Sequence, residues 1–245
     1  MTRVGFVGRG DAQAVDAVED ADGDAISGTP AELATAELDV VVALDEDALY
    51  DLVAAGATQP LLPIGAGRGI ESVPRDSLDS ALHDVVAGEY ETVPAPLLDV
   101  EAGSDTYRAL MDVMVVTSEP ARISEYGITS RIDGEPVAVD TVRADGVVVA
   151  TPRGSQGYAN DARGPILAPD ADTVSVVPIA PFRVDRTHWG LTPPVTVTVE
   201  RDESDVSLLV DDTNHGILDA HARVDLTWGE PLPLVRVSAS QPYFG

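Results

Sequence analysis

The chain has 245 residues, enough for one large domain or two modest ones with a substantial core. Fifteen arginines and no lysine stand against 42 Asp and Glu, a net charge of −27, so no basic stripe exists to release counterions from a nucleic-acid backbone. The absence of cysteine excludes disulfides, thiolate metal ligands and a cysteine nucleophile. A lysine-free, Asp-rich composition points to a halophile. In concentrated salt, excess carboxylates hold hydration while a Debye length of about 3 Å at 1 M screens their repulsion. Met1 runs straight into TRVGFVG, with no basic-then-apolar leader and no long apolar run, so a cytoplasmic protein without membrane association is expected.

The first ninety residues alternate in pattern. Residues 4–7 read as a strand and 12–18 as a helix, 40–44 as a second strand and 46–55 as a second helix. A short strand over 61–64 precedes a Gly-rich loop, and 78–86 reads as another helix. Strands alternating with helices imply an open, largely parallel sheet. After Pro94-Ala95-Pro96 the pattern becomes short valine-rich runs, over 113–116, 137–142, 147–150, 174–179, 195–199 and 206–210. Turn signals separate them, among them Asp133-Gly134, Asp145-Gly146 and Pro193-Pro194, and together they predict an all-β half. A small α/β domain followed by a β-rich, sandwich-like domain is therefore expected, with boundaries at 1–97 and 98–229. A cleft shared by two domains is a common place for a ligand.

The densest chemistry lies in residues 143–167, RADGVVVATPRGSQGYANDARGPIL. Four aliphatic residues, 147–150, read as a strand buried on both faces. Pro152 ends it and Gly154 lets the backbone turn tightly. The loop that follows is expected to present hydroxyls, bare N–H groups and the face of Tyr158, the equipment a nucleotide needs for its phosphates, ribose and base.

This block resembles the NAD kinase family, whose C-terminal domain carries a DG-hydrophobic-TPTGSTAY-GGPI signature; order and spacing agree across some twenty positions. The resemblance implies a small α/β domain and a β-rich domain with the nucleotide between them, with the segment 230–245 returning to the first. It assigns Asp145 to a substrate-contacting acid, and Thr151, Gly154, Ser155 and Tyr158 to the nucleotide loop. Gln156 and Gly157 replace the family's Thr-Ala pair, Asp161 replaces a small polar residue, and Arg153 stands where the family has a short polar one. Asp112 keeps the acid of an Asn-Glu pair whose Asn is Met111 here, and Met111 cannot donate or accept as an amide does. The segment 60–68, with Gly67-Arg68, resembles a family loop near the phosphates. Residues 177–181 resemble a later family strand, with Phe182 in place of its His.

The main departure falls where the family has GGDGT. Here the strand over 40–44 runs into Asp45-Glu46-Asp47-Ala48-Leu49. Asp47 matches the family's catalytic aspartate, the general base for the ribose hydroxyl, but the neighbouring glycines are gone and two carboxylates are added. Molar salt, or a bridging Mg²⁺, relieves charge repulsion. Nothing screens the loss of close backbone approach and positive φ. The same residues read equally as an N-cap and acidic first turn of the following helix.

Other signals are weaker. Gly8-Arg9-Gly10 resembles a dinucleotide fingerprint, but Gln13 stands at its third glycine, and a plain strand-to-helix turn fits better. His215, Asp219 and His221 fit no metal spacing, so no metal site is expected. Ser155 lacks the G-x-S-x-G elbow of a hydrolase. Trp189 and Trp228 read as core or interface residues rather than base stackers. The Arg153 guanidinium either grips a phosphate or pairs with one of the many carboxylates.

Two functions follow from the resemblance. One is Mg²⁺-dependent transfer of a phosphoryl group from ATP or polyphosphate to the 2′-hydroxyl of NAD, with Asp47 as base, Gly67-Arg68 and Arg153 toward phosphate, and Asp112, Asp145 and the 151–161 loop holding NAD. The other is a paralog that binds NAD, NADP or another nucleotide without phosphoryl transfer. Either is expected as a homo-oligomer, a dimer or a tetramer.

Overall fold

A computed structural model describes residues 1–119, 123–182, 188–201 and 204–244. The chain forms two compact units, one of 1–95 with 231–245 and the other of 96–230.

In chain order the first unit contributes β1 (Arg3–Val7), α1 (Asp11–Asp20), β2 (Asp24–Ser27), α2 (Pro30–Leu33), β3 (Val40–Ala43), α3 (Glu46–Ala54), β4 (Leu61–Pro63), α4 (Leu78–Ala87) and β5 (Glu91–Ala95). The second unit follows with β6 (Leu98–Ala102), β7 (Asp105–Ala109), β8 (Asp112–Thr117), β9 (Ser124–Ile132), β10 (Glu135–Ala144), β11 (Gly146–Ala150), α5 (Tyr158–Asp161), β12 (Val174–Ile179), β13 (Trp189–Leu191), β14 (Val195–Arg201), β15 (Val206–Val210), β16 (Thr213–Leu218) and β17 (Arg223–Trp228). The chain then returns to the first unit as β18 (Leu232–Arg236).

The first unit is an α/β sheet of order β2-β1-β3-β4-β18-β5, parallel except at its β18–β5 edge. Alternate residues of β1 and β3, Val4, Phe6, Val40 and Val42, pack with Ala14, Val18, Leu82 and Val85 of α1 and α4. The other β3 residues, Val41 and Ala43, are equally buried, which accounts for an uninterrupted apolar run rather than an alternating one. After β1 the chain steps outward to β2, and with β3 it resumes on the other side of β1. The carboxyl ends of β1 and β3 therefore flank the point where strand order reverses, where open α/β sheets place their ligands.

The second unit is a sandwich of two antiparallel six-stranded sheets, β10-β9-β14-β17-β6-β7 and β13-β12-β11-β8-β15-β16. Val113, Val115, Val147, Val149 and Val176 from one sheet and Tyr126, Ile128, Val195, Val197 and Leu226 from the other share a single core, against which Trp189 and Trp228 pack. β11 is buried on both faces. Val147 and Val149 enter the inter-sheet core, while Val148 and Ala150 pack with Met114, Ala159 and Val177. Among the described residues no helix is long and apolar enough to cross a membrane.

Candidate functional site

Three loops lie at the carboxyl ends of β1, β3 and β4 in the first unit. Gly8 (φ 109°) and Gly10 (φ 96°) turn the chain from β1 into α1, and Gly10 occupies the N-cap with no side-chain cap. This is a plain strand-to-helix turn. Gly8 is demanded by its neighbours: a Cβ there would lie 3.1 Å from Leu44 Cβ, 3.2 Å from Ala48 Cβ and 3.3 Å from an Asp45 carboxylate oxygen, at a φ that L side chains rarely adopt.

In the β3–α3 loop, Asp45 takes the extended N-cap conformation and its carboxylate accepts from the Ala48 N–H at 2.8 Å. Glu46 and Asp47 form the acidic first turn, favourable to the helix dipole. The Glu46 carboxylate accepts from the Tyr50 hydroxyl at 2.8 Å and from the Gly67 N–H at 3.3 Å. Two backbone donors that a glycine-rich loop would offer to phosphate thus carry the chain's own carboxylates. The capping reading holds for Asp45, and it leaves Asp47 exposed and ready for other work. Gly67 is half-buried and Arg68 exposed. A Cβ on Gly67 would lie 2.8 Å from the Glu46 oxygen, so this glycine permits the close approach of the two loops.

In the second unit the loop over 151–161 leaves β11 at Thr151. The Thr151 hydroxyl donates to the Leu110 carbonyl (2.7 Å) and accepts from the Gly154 N–H (3.2 Å). The Ser155 hydroxyl donates to the Pro152 carbonyl (2.6 Å) and accepts from the Leu167 N–H (2.9 Å). The expectation of a loop that presents its hydroxyls is thereby corrected: both serve the chain's own backbone, and both residues are fully buried. Arg153 is also 0% exposed, so its guanidinium belongs to the interior rather than to a surface that grips phosphate. Gly154 and Gln156 are buried with them. Gly154 admits no side chain, since a Cβ would sit 1.9 Å from the Met111 carbonyl oxygen. These five residues shape the loop from within.

Of the loop, Tyr158 and Asp161 are exposed and Gly157 is half-buried. Tyr158, 43% exposed, and Asp161 line a cavity of about 210 Å³ with Arg163, Ile179, Pro181 and His188. Asp145 is half-buried at the head of β11; its carbonyl accepts from the Thr117 N–H (2.8 Å), the Thr117 hydroxyl (3.1 Å) and the Tyr126 hydroxyl (3.2 Å). Arg163 (φ 71°) and His188 gave no signal in the sequence, because only the fold of β12 beside α5 gathers them. A larger and more open hollow of about 520 Å³ in the first unit, lined by Glu71, Tyr90, Glu91 and Arg236, contains none of the sequence-predicted residues. Arg236 spans it with ion pairs to Glu71 (2.7 Å) and Glu91 (2.6 Å).

Asp112 is buried at the start of β8, and burial pushes its carboxyl up to about 7, reinforced by the charges of Asp211 and Asp212. Asp211, which the sequence reading passed over, is buried as well and is also pushed up to about 7. There burial outweighs three backbone donors that favour the ionised form, the N–H groups of Leu110 (2.6 Å), Met111 (2.7 Å) and Asp112 (3.1 Å). The signal that was available is the doublet Asp211-Asp212 at a hairpin turn, both at positive φ (44° and 66°). His215 stacks on Tyr107 with ring centroids 4.1 Å apart. Among the described residues no group of three or more His, Asp or Glu is placed to hold a metal ion.

Comparison with known proteins converges on one family. A sequence model of the ATP-NAD kinase C-terminal domain matches residues 110–228, which include Asp112, Asp145, the nucleotide loop and Asp211. The NAD kinase of Methanothermobacter thermautotrophicus is 35% identical over 127 residues, 51% of this chain and 44% of the relative. The NAD kinase of Aromatoleum aromaticum is 32% identical over 211 residues, 82% of this chain and 67% of the relative. The chain thus spans about half the length of the first and two thirds of the second. Among solved structures, yeast NADH kinase complexed with NADH superposes with a TM-score of 0.80 at 16% identity, covering 98% of this chain and 84% of that one. An NAD kinase from Archaeoglobus fulgidus in complex with ATP gives 0.77 at 21% identity, covering 97% and 94%. These two likenesses establish the fold, a parallel-sheet α/β unit with an antiparallel β-rich unit, and the matches of sequence settle the family: this chain belongs to the NAD kinase family.

Proposed function

We propose that the protein phosphorylates NAD at the 2′-hydroxyl of its adenosine ribose, with ATP or polyphosphate as donor, to give NADP. The observation that carries this reading is the cavity beneath Tyr158 and Asp161, which lies inside the matched stretch 110–228 and has room for one end of a dinucleotide. Tyr158 offers a face for a heterocycle, Arg163 and His188 offer donors, and Asp145, Gly157 and Asp161 offer polar edges. Asp112 reaches the same ligand from the start of β8. Thr151, Arg153, Gly154, Ser155 and Gln156 support the loop rather than touch the nucleotide.

Asp47 serves as general base. It accepts the proton of the 2′-hydroxyl as that oxygen bonds to the donor's terminal phosphorus, and the bridging P–O bond breaks to release ADP or a shortened polyphosphate. Gly67 and Arg68 lie toward the phosphates. Mg²⁺ arrives with the donor as its magnesium salt; among the described residues no group of three or more His, Asp or Glu is placed to hold it. The net charge of −27 and the absence of lysine support concentrated salt as the working medium; membership of the family supports a cytoplasmic location and a dimer or tetramer.

One observation favours a second reading, a paralog that binds dinucleotides without phosphoryl transfer: Asp45 and Glu46 occupy the Ala48 and Gly67 N–H groups. The experiment that separates the two is calorimetric titration with NAD in near-molar KCl, paired with an assay for NADP on the same preparation. Binding with turnover supports the kinase, and binding without turnover supports the paralog.

A further inference from the structure

Leu110, Met111 and Asp112 carry the chain from β7 into β8, and their six backbone polar groups are all engaged, by two residues. The three N–H groups donate to the Asp211 carboxylate, Leu110 to one oxygen and Met111 and Asp112 to the other. The Asp112 carbonyl accepts from the Asp211 N–H at 3.0 Å. The Leu110 carbonyl accepts from the Thr151 hydroxyl at 2.7 Å and the Met111 carbonyl from the Thr151 N–H at 2.9 Å. Gly154 presses on the same segment, leaving no room for a Cβ beside the Met111 oxygen. The three residues are therefore a bridge, with Asp211 on their three donors and the Asp112 carbonyl, and Thr151, at the root of the loop, on the other two carbonyls.

We propose that Asp211 is a positioning residue for the nucleotide loop, acting on Thr151 and Gly154 through the backbone of Leu110–Asp112. It does not touch the ligand: it is 6% exposed and its carboxylate is committed to backbone. Its residue type is dictated by this role. Only a carboxylate brings two acceptor oxygens to three donors; an amide keeps one oxygen and turns an NH₂ toward an N–H. Its φ of 44°, uncommon for a side chain, is held by the same bonds at the turn between β15 and β16. The proposal rests on the reading of the 151–161 loop as the dinucleotide-binding element.

The test is Asp211→Asn, compared with the wild-type chain in near-molar KCl at pH 8 or above, where Asp211 is ionised, by NAD titration and steady-state kinetics. The loss of a buried charge-assisted bond at the loop's anchor is expected to raise the Kd and KM for NAD about tenfold or more, while kcat and the KM for ATP stay within about threefold. NAD affinity within about twofold of wild type in the folded variant would overturn the positioning role alone. A fall in kcat together with a rise in both KM values would also overturn it, as the mark of general structural damage. A wild-type chain with no affinity for NAD would overturn the role and the functional reading together. Should Asp211→Asn not fold, amide exchange of the wild-type chain decides: slower exchange at 110–112 on addition of NAD supports the role, and unchanged exchange there, with NAD bound, refutes it.

Discussion

The Glu46 carboxylate holds the Gly67 N–H at 3.3 Å, tying the acidic β3–α3 loop to the loop after β4. The tie sits where the strand order of the parallel sheet reverses and where an incoming phosphate would look for backbone donors. Glu46→Ala releases that N–H and removes one negative charge, so the KM for ATP is expected to fall severalfold while the KM for NAD holds. The stability change is expected to be about 1 kcal/mol or less, because the lost bonds are only part-buried. Donor titrations of both proteins at fixed KCl check this, and a raised KM for ATP would show that Glu46 supports the donor site instead.

Asp47 stands in the first turn of α3, exposed, with its neighbour Asp45 doing the capping. Asp47→Ala is therefore expected to leave the melting temperature and NAD affinity nearly unchanged, within about 0.5 kcal/mol, while NADP formation drops by about 10²–10⁴. Initial rates with saturating NAD and donor provide the measurement. Retained turnover would remove Asp47 from the mechanism.

Two glycines of the nucleotide loop should respond very differently to alanine. At Gly154 the new Cβ would meet backbone, the Met111 oxygen at 1.9 Å, and neither element has room to yield. Gly154→Ala is expected to cost about 3 kcal/mol or more, or to prevent folding. At Gly157 the nearest atom is the Gly154 oxygen at 3.4 Å, an ordinary van der Waals contact. Gly157→Ala is expected to cost well under what Gly154→Ala costs, about 1 kcal/mol. Thermal unfolding in molar KCl distinguishes them.

The buried carboxyls give stability a pH dependence of definite sign. Asp112 and Asp211 are pushed up to about 7 from an ordinary 3.8, so the folded chain retains protons that the unfolded chain gives up. Stability contributed by these groups is greatest below the unfolded value and drains away as pH rises toward 7. Asp112→Asn removes one of the two titrating groups. Its melting temperature is expected to fall less steeply than that of wild type between pH 5 and 8, at the same KCl concentration. Parallel slopes would contradict the buried-pair account.

The parts of the fold that were legible in the sequence are those in which burial writes a pattern. β3, β8, β11, β12 and β15 are nearly unbroken valine runs because neighbouring strands and a covering layer bury both faces. β7 and β16 are edge strands; Asp105 and Arg108 in one and the exposed Asn214, His215 and Gly216 in the other look like loop. β18 pairs with β4 and β5 from more than 130 residues away, which no local pattern announces. At the site, the block 151–161 was readable by its motif, yet which side chains face inward was not. Thr151, Arg153 and Ser155 turn out to be interior because the loop root is clamped to Leu110–Asp112. Asp211 was missed for the same reason, since its partners lie about a hundred residues away.

NADP formed from NAD and Mg²⁺ with ATP or polyphosphate, in near-molar KCl, with protein whose fold is verified in the same buffer, is the decisive measurement. NADP is expected above the no-protein control and is expected to be lost in Asp47→Ala. No NADP from folded protein that still binds NAD would contradict phosphoryl transfer and leave the dinucleotide-binding paralog in its place.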